Sequence, residues 1–163
     1  MNWPHVHLLL NHVPVLGTIF GLALLAWGLV RRNSTLERAA LVTFVLIALA
    51  AIPAYFTGGA AEESVEHIAG MSDSAIEAHE EVALLALIGI ELLGAVALGT
   101  LLLARSRFAI LLTRSVLALA LTTTALMTWT ANLGGRIRHS ELQARDRSPG
   151  TSAPELTAEA DER

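Results

Sequence analysis

A chain of 163 residues that is 53% apolar and only 16% charged falls well short of the roughly 25% charge of soluble domains. Its net charge of −4, without a basic cluster rich in aromatics, argues against nucleic-acid binding. With no cysteine, disulfides, iron–sulfur clusters and thiolate metal sites are excluded. Every basic residue is arginine, which reads as genomic bias rather than function.

The first apolar segment runs from about Pro4 to Val30, and no formal charge precedes Arg31 and Arg32. A cleavable signal peptide has the reverse order, with positive charge ahead of its apolar core. The expectation is therefore a retained first helix with its N-terminus outside. Three further segments follow: Ala39–Ala61, Val82–Ala104 (interrupted only by Glu91) and Ser115–Gly135. Each reaches the roughly 20 residues that a helix needs to cross a hydrocarbon core. Lipid leaves no backbone group unsatisfied, so the segments must be helices.

Ser74 and Glu77 have capping-box spacing, which starts the third helix near Ala75, ahead of its apolar part. The predicted helices span about 4–30, 39–61, 75–104 and 110–135. Their short links, Arg31–Arg38 and Arg105–Arg114, force antiparallel neighbours. The fold class expected is all-α: an integral membrane four-helix up-down-up-down bundle over residues 1–139. Residues 140–163, rich in Ser, Pro, Asp, Glu and Arg, read as a disordered tail. The middle connection, Glu62–Glu81, is long and acidic, and Ala60–Ile68 could extend the second helix.

Six arginines, Arg31, Arg32, Arg38, Arg105, Arg107 and Arg114, fall in the two short links, so these should face the cytoplasm. Both termini and the acidic connection then face the periplasm. Arg136, Arg138, Arg145 and Arg147 narrow that asymmetry. This topology gathers all six histidines toward one face, together with Glu62, Glu63, Glu66, Glu77, Glu80 and Glu81.

Imidazole and carboxylate are natural ligands for zinc, copper or iron when thiolates are missing, and two histidines on different helices can clamp a haem iron. The expected ligands are His12 in the first helix and His79 in the third, which lie diagonally opposite in such a bundle, with His7 as the alternative to His12 and Glu63 and Glu91 among the supporting carboxylates. Glu80 and Glu62 are candidate carboxylates, and Arg136 and Arg138 could pair with haem propionates. His5, His67 and His139 read as exposed. The competing reading is an ordinary interfacial belt of His, Trp3, Trp129 and Tyr55, with the arginines as anchors.

Pro14 and Pro53 free carbonyls inside their helices, near Leu10 in the first case. Glu91, set in an apolar run eleven residues after Glu80, is either a proton-relay or buried carboxylate, or a neutral acid bonded to one of Thr122–Thr124. Gly17-x-x-x-Gly21 has the spacing of close helix packing; a homodimer face is the lesser alternative.

The run His7-Leu-Leu-Leu-Asn-His12-Val-Pro14-Val-Leu-Gly17 resembles the first-helix motif of an uncharacterised family of bacterial four-helix membrane proteins, a domain of unknown function. Tyr55-Phe-Thr57-Gly58, His79 and Asn132-Leu-Gly134-Gly135 extend the resemblance over about residues 4–139. The family often has proline after its first histidine; Val6 and Leu8 stand there, so either His5 or His7 is the matching histidine. The resemblance implies architecture rather than a reaction, and a further fold-level likeness is to small b-type cytochromes.

The functional expectation is a bacterial inner-membrane protein holding haem b, or copper, zinc or iron, for electron transfer or metal handling with a membrane or periplasmic redox partner. The alternatives are a non-catalytic membrane interaction module and a small proton-coupled transport subunit using Glu91. No nucleophile–base pair or phosphate loop is present, so a soluble-type enzyme is not expected.

Overall fold

The computed structural model describes residues 3–63 and 73–138, apart from the side chains of Glu62, Asp73, Ile137 and Arg138. The expected disordered tail and most of the acidic connection lie outside these residues. The described chain forms α1 (Trp3–Leu10), α2 (His12–Arg31), α3 (Ser34–Glu63), α4 (Asp73–Leu102) and α5 (Ala109–Arg138), with no strand among them.

The single first helix expected over 4–30 is broken in two at Asn11. Pro14 has no N–H to give the Leu10 carbonyl, and α1 ends at Leu10. Because apolar runs mark the buried length and not the polar end turns, the remaining helices exceed the predicted limits, except that α4 stops at Leu102, two residues short of the predicted end. The second helix starts at Ser34 rather than Ala39. Asn33 caps it, its Oδ1 accepting from the N–H groups of Thr35 at 3.0 Å and Leu36 at 3.2 Å. Arg32, just before, adopts the left-handed conformation at φ 50 and closes α2 with Asn33 in a Schellman arrangement. Two residues therefore end one helix and begin the next.

Four helical stretches of 28 or 29 residues are long and apolar enough to cross a membrane. They close into a ring: α2 packs on α3 and α5, and α4 packs on the same two, while no Cα of α2 lies within 8 Å of α4. Leu25, Phe44, Ile90, Leu93 and Val116 are fully buried where the helices meet. Large apolar side chains also face outward, among them Leu16, Phe20, Leu46, Phe56, Leu102 and Ile110. A helix apolar on every side lacks the polar face that a water-exposed bundle would show. Glycine sets the closest approaches. A Cβ at Gly21 would lie 2.6 Å from the Phe44 ring, and one at Gly94 would lie 2.5 Å from Ala48 Cβ. Gly17 and Gly21 thus pack within the chain, against Ile47 and Phe44.

The second helix pair repeats the first. Buried Pro14, Thr18, Gly21, Leu25 and Gly28 of α2 match buried Ala86, Ile90, Leu93, Ala97 and Thr100, each 72 positions later in α4. Buried Ala40, Phe44, Ile47 and Ala51 of α3 match Val116, Ala120, Thr123 and Met127, each 76 positions later in α5. Any bundle imposes a periodic burial pattern. It does not require particular residues to recur at fixed places in that pattern, yet His7/His79, Gly17/Gly89, Arg38/Arg114 and Gly58-Gly59/Gly134-Gly135 all do.

Candidate functional site

His7 lies half-buried in α1 against α3. Its Nδ1 donates to the Ala54 carbonyl at 3.0 Å, with Thr57 Oγ1 at 3.4 Å. Pro53 sits just ahead, and Thr57 Oγ1 donates to both the Pro53 and Ala54 carbonyls at 2.9 Å. His79, half-buried in α4, repeats the arrangement on α5: its Nδ1 donates to the Thr130 carbonyl at 3.1 Å. A carbonyl can only accept, so each bond assigns the proton to Nδ1 and leaves a lone pair on Nε2. Among the described residues, neither Nε2 has a hydrogen-bond partner.

A glycine completes each seat. Gly58 is one turn beyond Ala54, and a Cβ there would lie 3.2 Å from His7 Cε1. Gly134 is one turn beyond Thr130, and a Cβ there would also lie 3.2 Å from His79 Cε1. Carbonyl and glycine at i and i+4 share a helix face, one holding the ring edge and the other leaving room for its body. Around this end the bundle is open, since no Cα of α1 lies within 8 Å of α4 or α5.

The other predicted residues are placed differently. His12 is exposed, and its Nδ1 donates to the Leu8 carbonyl of α1 at 2.6 Å, four residues back across the junction of α1 and α2. His5, Glu63, Glu77, Glu80, Glu81 and Arg136 are exposed. The Glu62 side chain, Glu66, His67 and His139 lie outside the described residues. No group of three or more His, Asp or Glu that could hold a metal ion occurs among the described residues.

Glu91 is half-buried, with Oε1 out of solvent and without a hydrogen-bond partner. The expected bond to one of Thr122–Thr124 is not formed: Thr122 donates to Ala118, and buried Thr124 Oγ1 is also unpartnered. The helical turn explains this. Gly89 faces Thr123, and Glu91 lies two residues, about 200°, further round α4.

The carbonyls of Ala54 and Thr130 and the glycines beneath the rings were not among the sequence candidates. The available signal was the recurrence of His and Gly-Gly at matching places in the two halves. No protein family, curated protein or solved structure matches the chain.

Proposed function

We propose that this chain is a multi-pass protein of the bacterial inner membrane, an up-down-up-down bundle in which His7 and His79 would hold haem b for electron transfer. The single observation that carries this reading is the duplicated seat, in which each Nδ1 is tied to a backbone carbonyl and neither Nε2 has a partner among the described residues. Metal-binding histidines are fastened in this way through the other ring nitrogen. Placing the arginine-bearing links in the cytoplasm puts this end on the periplasmic side.

The donor set discriminates among ligands. Directly bound zinc or copper requires three or four protein ligands, whereas the porphyrin supplies all but two of the iron's. Two imidazoles with no third ligand grouped with them among the described residues suit haem. Haem bound there would supply one-electron redox chemistry. The chain's own contribution is to fix both rings, each through a backbone carbonyl and a glycine beneath it.

The test is the visible spectrum and metal content of protein purified in mild detergent. A Soret band with stoichiometric iron, lost in both His7→Ala and His79→Ala but kept in His12→Ala, is the expected result. Colourless protein with stoichiometric zinc or copper would replace haem with a bare metal. A featureless spectrum without metal would sink the proposal. The second reading is a proton-coupled transport subunit, favoured by the unpartnered Glu91 carboxyl inside an apolar helix. It requires proton flux in vesicles that Glu91→Gln abolishes.

A further inference from the structure

The end of the bundle remote from the histidines carries a cleft of about 490 Å³ where the two halves meet. Its apolar lining comes in pairs related by the internal repeat: Leu29 with Leu101, and Leu41 with Leu117. Arg38, Arg105 and Arg114 line it too, and all three are exposed. Arg38 and Arg114 are themselves a repeat-related pair, the only charged residue that the halves share in their helices. None of the three has an ion pair, hydrogen bond or ring contact among the described residues. Nearby arginines differ: Arg31 stacks on Trp27 at 4.8 Å, and Arg107 on Phe108 at 4.7 Å. The cleft holds one carboxylate, Glu37, so its side chains carry a net charge of about two positive units.

We propose that this cleft binds a phosphate ester, with Arg38 and Arg114 as its two principal ligands and Arg105 as the third. A phosphate monoester at neutral pH carries nearly two negative charges and matches the forked donors of guanidinium. The leucine pairs provide an apolar floor for the carbon part of the ester, which bare phosphate would leave empty. Helix termini supply little here. Asn33 already caps the first amides of α3, and the C-terminal turns of α2 and α4, ending opposite α3 and α5, bring the reverse polarity. The competing explanation is that these arginines merely anchor the helices at the lipid surface. That explanation does not require three of them to converge on one cleft that holds a single carboxylate.

The phosphate could come from a soluble metabolite or from a lipid headgroup, and the experiment separates the two. Glycerol phosphate is titrated calorimetrically into full-length protein in uncharged detergent at low ionic strength. In parallel, retained phosphatidylglycerol is counted by native mass spectrometry after extraction from nanodiscs of phosphatidylcholine and phosphatidylglycerol. Arg38→Gln and Arg114→Gln should each weaken glycerol phosphate binding about tenfold, the share of one charge-assisted hydrogen bond, while Arg31→Gln and Arg107→Gln leave it unchanged. Arg38→Lys serves as the second variant, restoring charge without the fork and recovering only part of the affinity. If glycerol phosphate fails but one phosphatidylglycerol is retained through Arg38 and Arg114, the site holds and the membrane is its source. Binding of neither ligand overturns the proposal. So does an equal loss in Arg31→Gln and Arg107→Gln, which would mark bulk charge rather than a site.

Discussion

Each histidine seat contains two adjacent glycines, and only one of the two touches the ring. Gly58→Ala places a methyl 3.2 Å from His7 Cε1, and Gly134→Ala does the same to His79, whereas Gly59 and Gly135 have nothing within 4 Å. Ordinary carbon contacts begin near 3.5 Å, so each ring must recede by about 0.3 Å. Its bond to the Ala54 or Thr130 carbonyl, now 3.0 or 3.1 Å, lengthens toward the limit of hydrogen bonding. Losing about half of a bond worth about 0.5–1.5 kcal/mol should weaken haem binding about 1.5-fold to 3.5-fold. All four substitutions gain helix propensity, up to about 1 kcal/mol, so lost stability cannot mimic the effect. The assay is haem titration followed at the Soret band, with ring-nitrogen NMR of the ligand-free protein as a check on imidazole displacement. Gly58→Ala and Gly134→Ala should weaken binding alike, and Gly59→Ala and Gly135→Ala should not. Equal effects at all four positions, or none at Gly58 and Gly134, would refute the seat.

Packing gives a second contrast on a single helix. Gly94→Ala drives a methyl to 2.5 Å from Ala48 Cβ and should destabilise the bundle by about 1–3 kcal/mol, while Gly99→Ala meets nothing and should be neutral or stabilising, as read by denaturation in detergent. At the link between α2 and α3, Asn33→Ala removes two cap bonds and should cost about 0.5–2 kcal/mol, whereas Arg32→Gly relaxes a left-handed residue and should stabilise by about 1 kcal/mol. Glu91→Ile installs the residue found at the matching place of the first half, Ile19, and should raise the melting temperature; a lower one would show that the carboxyl has a structural partner beyond the described residues.

Hydropathy made four long helices legible because a helix facing lipid is apolar on all sides, and Leu16, Phe20 and Leu46 are as informative in this respect as buried Phe44. The ends were not legible, since capped polar turns such as Ser34–Arg38 carry no hydropathy signal. His7 and His79 were recognisable as candidates by type and level in the bundle. Choosing His7 over His12 was beyond the sequence, because five residues in a helix broken near Pro14 do not reveal which ring turns inward. The seats themselves rest on backbone carbonyls, which every residue possesses, and on glycines, which have many other uses. Their recurrence in register with the histidines was the remaining clue.

Each imidazole is fastened wholly within its own helix pair, His7 by α3 and His79 by α5. Nothing in α1 approaches α4 or α5, so a ligand gripped by both rings would be the brace that ties the two halves together at that end. Occupancy and order are then thermodynamically linked, with stabilisation growing as the logarithm of ligand concentration over its dissociation constant. Hydrogen exchange in α1 should therefore slow on loading while the arginine end stays unchanged. The two half-pairs, joined elsewhere by the packing of α3 on α4 and α2 on α5, would be pinned at the histidine end by a single prosthetic group.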